Sequence, residues 1–271
     1  MFLDINAYVG HWPFMQMWYN TCSALLERMN KFGVEVSVIS NTNGIFYKNT
    51  QSANEEMYKE INSDKHFIDR FIPFAVINPI YAGWRDDLDT CVNKMGMKGV
   101  RLYPKYHDYE VTDPSLIECV KRVRDYGLPV AFNIRMVDSR QRSWMDIPYI
   151  RSASAEKTEW ILMDIMPVIR AVPDAKYMIL NPVNSILLRD DKDIELIKKS
   201  DILFDTSGRS INSFPDLLNR YGKEKFAFGT HSPILDYLTG MLRIESLREE
   251  EADEETKEML RSGNAKRMMG I

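Results

Sequence analysis

Residues 99–134 read GVRLYPKYHDYEVTDPSLIECVKRVRDYGLPVAFNI and set two short apolar runs around one helix pattern. Gly99 to Leu102 and Val130 to Ile134 carry the apolar, β-branched and aromatic side chains of buried strands. Between them, Asp113 stands where an N-cap accepts free N–H groups, and Pro114 takes the first helical position. Leu116, Ile117, Val120 and Val123 then repeat at helical spacing on one face, and Gly127 is placed to end the helix. A helix between two buried strands is the crossover that parallel pairing requires. The stretch therefore predicts a β-α-β unit with the apolar helix face laid on a parallel sheet.

The same alternation extends in both directions. Further strand runs fall at Phe2 to Asn6, Val34 to Ser40, Phe71 to Ile77, Lys176 to Leu180, Ile202 to Asp205 and Lys225 to Phe228. The helix ahead of Val34 carries Cys22, Leu25, Leu26, Met29 and Phe32 on one face, with Gly33 as its stop. Strand and helix repeated about eight times predict a (β/α)8 TIM barrel of the α/β class, with residues 1–271 forming a single domain. A doubly wound open sheet satisfies the same periodicity and stays open at this point.

Composition narrows the partners. Acidic residues number 39 against 35 basic ones, for a net charge of −4. No basic stretch is long enough to follow a phosphate backbone, so nucleic acid is not expected as a partner. Cys22, Cys91 and Cys119 lack metal-ligand spacing and fit as small buried residues. No apolar run is long enough for a membrane span, and Asp4 stands where a signal peptide needs a basic start, so the reading is a reduced, cytoplasmic chain. The glycines form no nucleotide-binding loop. The acidic run REEEADEETKEML, 248–260, reads as a solvated helix face, and the 16 methionines as core filler.

In a barrel, the carboxyl ends of the strands form the reactive face. Those ends carry Asp4, Asn6 and Tyr8; Ser40 and Asn41; Asn78; Arg101, Tyr103 and Lys105; Asn133 and Arg135; Asn181; Asp205 and Ser207; and His231. Asp4, Asn6 and Tyr8 lie two residues apart, so an unbroken strand presents all three on one face. Arg101 and Arg135 end neighbouring strands, and two guanidinium forks there suit a carboxylate or phosphate. Ion pairs with Asp108, Asp138 or Asp205 are the structural alternative. The long segment Met136 to Glu156, with Asp138, Arg140, Arg142, Trp144 and Arg151, reads as a lid or as a packed surface excursion.

LDINAYVG, KGVRLYPKYHDY, GLPVAFN, PDAKYMILN, FDTSG, FAFGTHSP and the terminal NAKRMMGI occur in an order and spacing that resemble the amidohydrolase-related family of metal-dependent hydrolases and decarboxylases. The resemblance covers nearly the whole chain and implies the same barrel. It also implies an HxH pair ending the first strand, a His after the fifth and sixth strands, and an Asp after the eighth. Here those positions hold Asn6, Tyr8, Asn133, Asn181 and His231. Amide oxygens are poor zinc ligands, so the expectation is no cofactor, with zinc or another divalent metal absent. The resemblance extends to a metal-independent lactonase, in which a cationic pocket polarises the substrate.

Two functional readings are open. In the first, the chain is a hydrolase, or alternatively a decarboxylase, acting on a small anionic substrate, cyclic or aromatic. His231 is then the general base and Asp205 its orienting partner. Asn6, Tyr8, Arg101, Tyr103, Lys105, His107, Asn133, Arg135, Asp138, Arg140 and Asn181 form the binding surface. In the second, the barrel binds a small acid or a protein partner without catalysis, and His231 is a packed, satisfied histidine. A homo-oligomer is compatible with both.

Overall fold

A computed structural model describes residues 1–13, 16–136, 161–182, 186–208 and 213–271. Within them the strand segments are β1 (Phe2–Val9), β2 (Val34–Asn41), β3 (Phe71–Pro73), β4 (Ala75–Val76), β5 (Val100–Leu102), β6 (Pro129–Asn133), β7 (Lys176–Leu180), β8 (Ile202–Asp205) and β9 (Phe226–Ala227). Every adjacent pair is parallel. The unit at 99–134 folds as its sequence predicts. Asp113 accepts from the Ser115 N–H at 2.7 Å, the helix Pro114–Asp125 buries Leu116, Cys119, Val120 and Val123, and Gly127 turns with φ of 73°. Each large apolar side chain so buried contributes roughly 1.5–3 kcal/mol.

The run Phe71 to Ile77 differs from the expectation of one strand. Pro73 has no N–H to continue the ladder, and the chain changes partner across Phe74. Phe74 N donates to the Ile39 carbonyl at 2.8 Å, whereas Ala75 N donates to the Gly99 carbonyl at 2.9 Å. β3 therefore completes a sheet with β1 and β2, while β4 opens the sheet that runs to β9. The other edges meet where Ile5 N donates to the Phe228 carbonyl at 3.0 Å and His231 N to the Asn6 carbonyl at 2.6 Å. With β3 and β4 as one broken position, this closes the (β/α)8 barrel and removes the sheet edges.

Alternate side chains sort into two cores. Val100, Leu102, Val130, Phe132, Tyr177, Ile179, Ile202 and Phe204 pack with the helices. Leu3, Ile5, Val38, Phe74, Ala131, Met178, Leu180, Leu203 and Ala227 fill the barrel, joined by Ala265 and Met268 of the C-terminal helix. Above that apolar filling, the strand ends turn polar. Among the described residues no helix is long and apolar enough to cross a membrane.

β1 is longer than the run Phe2 to Asn6 and is not an unbroken strand. Its pairing with β2 slips between Asp4 and Ala7, and such a bulge shifts the alternation. Leu3 and Ile5 belong to the barrel filling. Asp4 instead accepts from the Thr230 N–H at 3.0 Å, the Thr230 hydroxyl at 2.6 Å and the Asn6 N–H at 2.9 Å. The expected single face of Asp4, Asn6 and Tyr8 is corrected accordingly: Asp4 is a structural acceptor that holds the bulge, and Asn6 and Tyr8 reach other partners.

Candidate functional site

Arg101 is the centre of the polar layer. Its strand neighbours Val100 and Leu102 face the helix-side core, so the alternation of β5 sends the guanidinium into the barrel. Nη1 donates to Asn6 Oδ1 at 3.4 Å and Nη2 to the Val38 carbonyl at 3.2 Å, and the guanidinium carbon lies 4.4 Å from the Tyr8 ring centroid. Arg101 is fully buried, its Nε has no partner, and no carboxylate of the described residues forms an ion pair with it. A buried, unpaired charge costs several kcal/mol. The contact with the Tyr8 face offsets about 2 kcal/mol of that. Among the described residues, what the arrangement lacks is an anion.

Two asparagines end the adjacent strands β6 and β7. Asn133 Nδ2 donates to the Tyr8 hydroxyl at 2.6 Å, and Asn181 Nδ2 donates to the Arg135 carbonyl at 2.9 Å. The Arg135 carbonyl, which only accepts, fixes the end of the Asn181 amide that faces it, and both Oδ1 atoms are buried without a partner among the described residues. Asn181 sits at φ of 50°, a left-handed conformation that asparagine tolerates. Its N–H donates to Asp205 Oδ1 at 2.8 Å.

Asp205, Asn6 and His231 form a chain. Asn6 Nδ2 lies 2.6 Å from Asp205 Oδ2 and 3.1 Å from His231 Nδ1, and the Ser207 hydroxyl donates to Asp205 at 2.8 Å. His231 Nε2 lies 2.8 Å from the Met136 carbonyl. A carbonyl only accepts, so Nε2 carries the proton and Nδ1 accepts from Asn6. Both ring nitrogens are thus engaged inside the protein. Burial lowers the His231 pKa to about 4, and the charge of Arg101 acts in the same direction. Burial raises Asp205 to about 6 against the pull of its Ser207, Asn6 and Asn181 donors. Asp205 therefore touches His231 only through Asn6, and the expected direct orientation of the ring is replaced by this bridge.

The remaining candidates divide. Tyr103 is buried beside Tyr8 and Arg101. His107 is turned to the Gly44 carbonyl, 2.9 Å from Nε2, and burial holds its pKa near 4. Lys105 is exposed on the same short helix, Pro104–His107. Arg135 joins the site through its backbone carbonyl. Asp138, Arg140 and most of the proposed lid lie outside the described residues. Thr230 and the carbonyls of Val38 and Met136 carry no signal in the sequence, because a partner chosen across three strands leaves no local pattern.

The family model described as Amidohydrolase matches residues 4–180. No curated protein matches the chain. Among solved structures, 2,6-dihydroxybenzoate decarboxylase from Rhizobium is 13% identical, with 99% of this chain and 98% of that one covered at a TM-score of 0.69. 5-Carboxyvanillate decarboxylase from Sphingomonas paucimobilis is 12% identical, covering 100% and 99% at 0.68. A dihydroxybenzoic acid decarboxylase from Polaromonas sp. JS666, with bound manganese and the inhibitor 2-nitroresorcinol, is 13% identical, covering 99% and 96% at 0.69. At such identities the likeness establishes the fold.

The expectation of no cofactor, with zinc or another divalent metal absent, is corrected by the last of these structures: a decarboxylase of this fold holds manganese. The donors of this chain are of a different kind. No three His, Cys, Asp or Glu side chains among the described residues stand close enough to share an ion. Asp205 and His231 already commit their atoms to Asn6, Ser207, Asn181 and Met136. The free oxygens of Asn133 and Asn181 are neutral, and two neutral oxygens do not make a metal centre of known type. The described donors do not fit the ion.

Proposed function

Because the chain belongs to the amidohydrolase family, we propose that it binds a small aromatic carboxylate at the carboxyl end of its barrel and acts on it as a decarboxylase. One observation carries this reading: Arg101 is fully buried with no carboxylate partner among the described residues. A planar guanidinium in a dry site matches a carboxylate, and the ligand supplies the missing anion. Tyr8, Tyr103 and Trp12 give the surrounding wall an aromatic character.

Loss of carbon dioxide is favoured over hydrolysis by the state of His231. Hydrolysis without a metal needs a base with a free lone pair to activate water, and both nitrogens of this ring are engaged. Decarboxylation instead needs a held carboxylate and a proton for the carbon it leaves. Arg101 supplies the first, and the second is taken from solvent, since both Asp205 oxygens accept hydrogen bonds from Asn181, Asn6 and Ser207. The names of the neighbouring structures agree with this class.

The test is direct. Incubation with 2,6-dihydroxybenzoate and related benzoates, followed by chromatography for the decarboxylated phenol, is expected to show turnover that Arg101→Lys abolishes. A protein that binds no benzoate by calorimetry and releases no carbon dioxide refutes the reading.

A further inference from the structure

We infer that the ligand presents a hydrogen-bond donor, an O–H or N–H group, to the carbonyl oxygens of Asn133 and Asn181, and that these two residues determine specificity. The inference rests on the carboxylate reading above and adds to it a second recognition element. Asn133 and Asn181 follow one another across the β6–β7 pair, in which Asn133 lies opposite Leu180. Both connect to Arg101 through short chains of contacts. Asn133 donates to Tyr8, whose ring lies under the guanidinium. The Asn181 N–H donates to Asp205, which Asn6 links to Arg101.

The orientation of Asn181 is not interchangeable. Its Nδ2 faces the Arg135 carbonyl at 2.9 Å, and a carbonyl cannot donate, so a flipped amide would set two oxygens against each other. At Asn133 the amide Nδ2 faces the Tyr8 hydroxyl at 2.6 Å, and that hydroxyl has Met136 Sδ 3.8 Å away as a further contact for its own proton. Asn181 is thereby held with its oxygen free, and in the arrangement described both oxygens are buried without a partner among the described residues. A buried acceptor without a partner is a cost that folded proteins rarely carry. Two of them, at the ends of adjacent strands and connected through Tyr8 and Asp205 to a cation with no carboxylate partner among the described residues, describe the complement of an anion that carries a donor. A site built to bond an O–H group rejects the analogue lacking it far more strongly than an apolar pocket rejects a missing methylene.

The experiment is a calorimetric comparison of benzoate, the three hydroxybenzoates and their methyl ethers, on the intact protein and on two variants. Asn181→Gly removes the carbonyl while keeping a residue at home at φ of 50°. Asn133→Ala removes the other carbonyl at a strand end. At least one hydroxybenzoate should bind on the order of 100-fold tighter than both benzoate and its own methyl ether. Within each variant that preference should fall to near unity, with melting curves showing that both remain folded. Hydroxybenzoates that bind no better than benzoate overturn the inference while leaving the carboxylate reading intact. So does a preference that survives in both variants. Failure of every benzoate to bind overturns both together.

Discussion

Replacing Arg101 by methionine separates a binding residue from a structural one. The side chain is fully buried, and its hydrogen bonds to Asn6 and the Val38 carbonyl are 3.4 and 3.2 Å long. Hydrogen bonds to a charged group contribute about 1.5–3 kcal/mol each when well made, and these are at the long end. The Tyr8 contact adds about 2 kcal/mol. Against them stands a desolvation penalty of several kcal/mol for a buried ion. The terms nearly cancel, and methionine fills much of the same space with apolar atoms. The Asn6 Oδ1 that loses its donor adds roughly 1–3 kcal/mol, so the unliganded variant should lose about that much, roughly 2–4 °C in Tm for each kcal/mol in a chain of this size. Benzoate affinity should fall at least 100-fold, about 2.7 kcal/mol, because the ligand loses its charged partner. Thermal melts with and without benzoate read both quantities from one sample. A variant that loses 4 kcal/mol or more of stability yet binds benzoate normally would show that Arg101 serves the fold, and the reasoning from its missing anion would be wrong.

Other consequences are equally checkable. His231→Asn keeps a residue that tolerates φ of 58° but leaves a buried partner, the Met136 carbonyl or the Asn6 amide, without its bond. A stability loss of roughly 1–3 kcal/mol is expected in chemical denaturation; an unchanged midpoint with turnover down 100-fold would instead restore the ring as the base. Asp4, pushed up to about 6 by burial, binds its proton more tightly folded than unfolded. Its contribution is fully present below the unfolded carboxyl range and is lost as pH rises through about 6, so Asp4→Asn should gain on the parent by about 2.4 kcal/mol between pH 4 and pH 7. A gap that does not vary with pH contradicts the shift. Gly99→Ala places a methyl group against the Phe74 ring, where the chain changes partner. Overpacking there should cost roughly 1–3 kcal/mol, and a neutral melt would show that Phe74 has room to move.

The barrel was legible because its evidence is local and repeated. Asp113, Pro114 and Gly127 bound one helix by chemistry that acts within a few residues, and the apolar spacing of Leu116 to Val123 names its buried face. The same spacing places Arg101 and Asn133 correctly, since β5 and β6 keep strict alternation. β1 does not. Its slip between Asp4 and Ala7 separates Asp4 from Asn6, and nothing in DINAY marks an extra residue. The jog at Phe74 has a partial signal in Pro73. The state of His231 had none: whether its nitrogens are free depends on Asn6 and on Met136, residues brought to it by barrel closure and by the segment after β6. Position on the reactive face was readable, and the occupancy of lone pairs was not.

Asn6 shows why an amide suits a place where the resembling family carries imidazole. Its Nδ2 serves Asp205 and His231 with two separate hydrogens, and its Oδ1 receives Arg101. A neutral imidazole offers one donor and one acceptor, so it cannot satisfy three such partners. A protonated ring offers two donors but no acceptor, and it would sit beside an unpaired guanidinium. Asn6→His, although it returns the side chain of the resembling family, should therefore leave at least one buried group unmatched. The expected loss is roughly 1–3 kcal/mol from that group, with added cost from a ring larger than the amide. Denaturant titration at pH 7 measures it, and a second titration on Asn6→Asp asks whether acceptors alone suffice. Asn6→Asp would place a new carboxylate beside Asp205 while pairing Arg101, so it should fall in stability at high pH and lose benzoate binding, its carboxylate having taken the ligand's place. An Asn6→His protein as stable as the parent, or an Asn6→Asp protein that binds benzoate as the parent does, would refute the view that Asn6 sets the charge and bonding of this site.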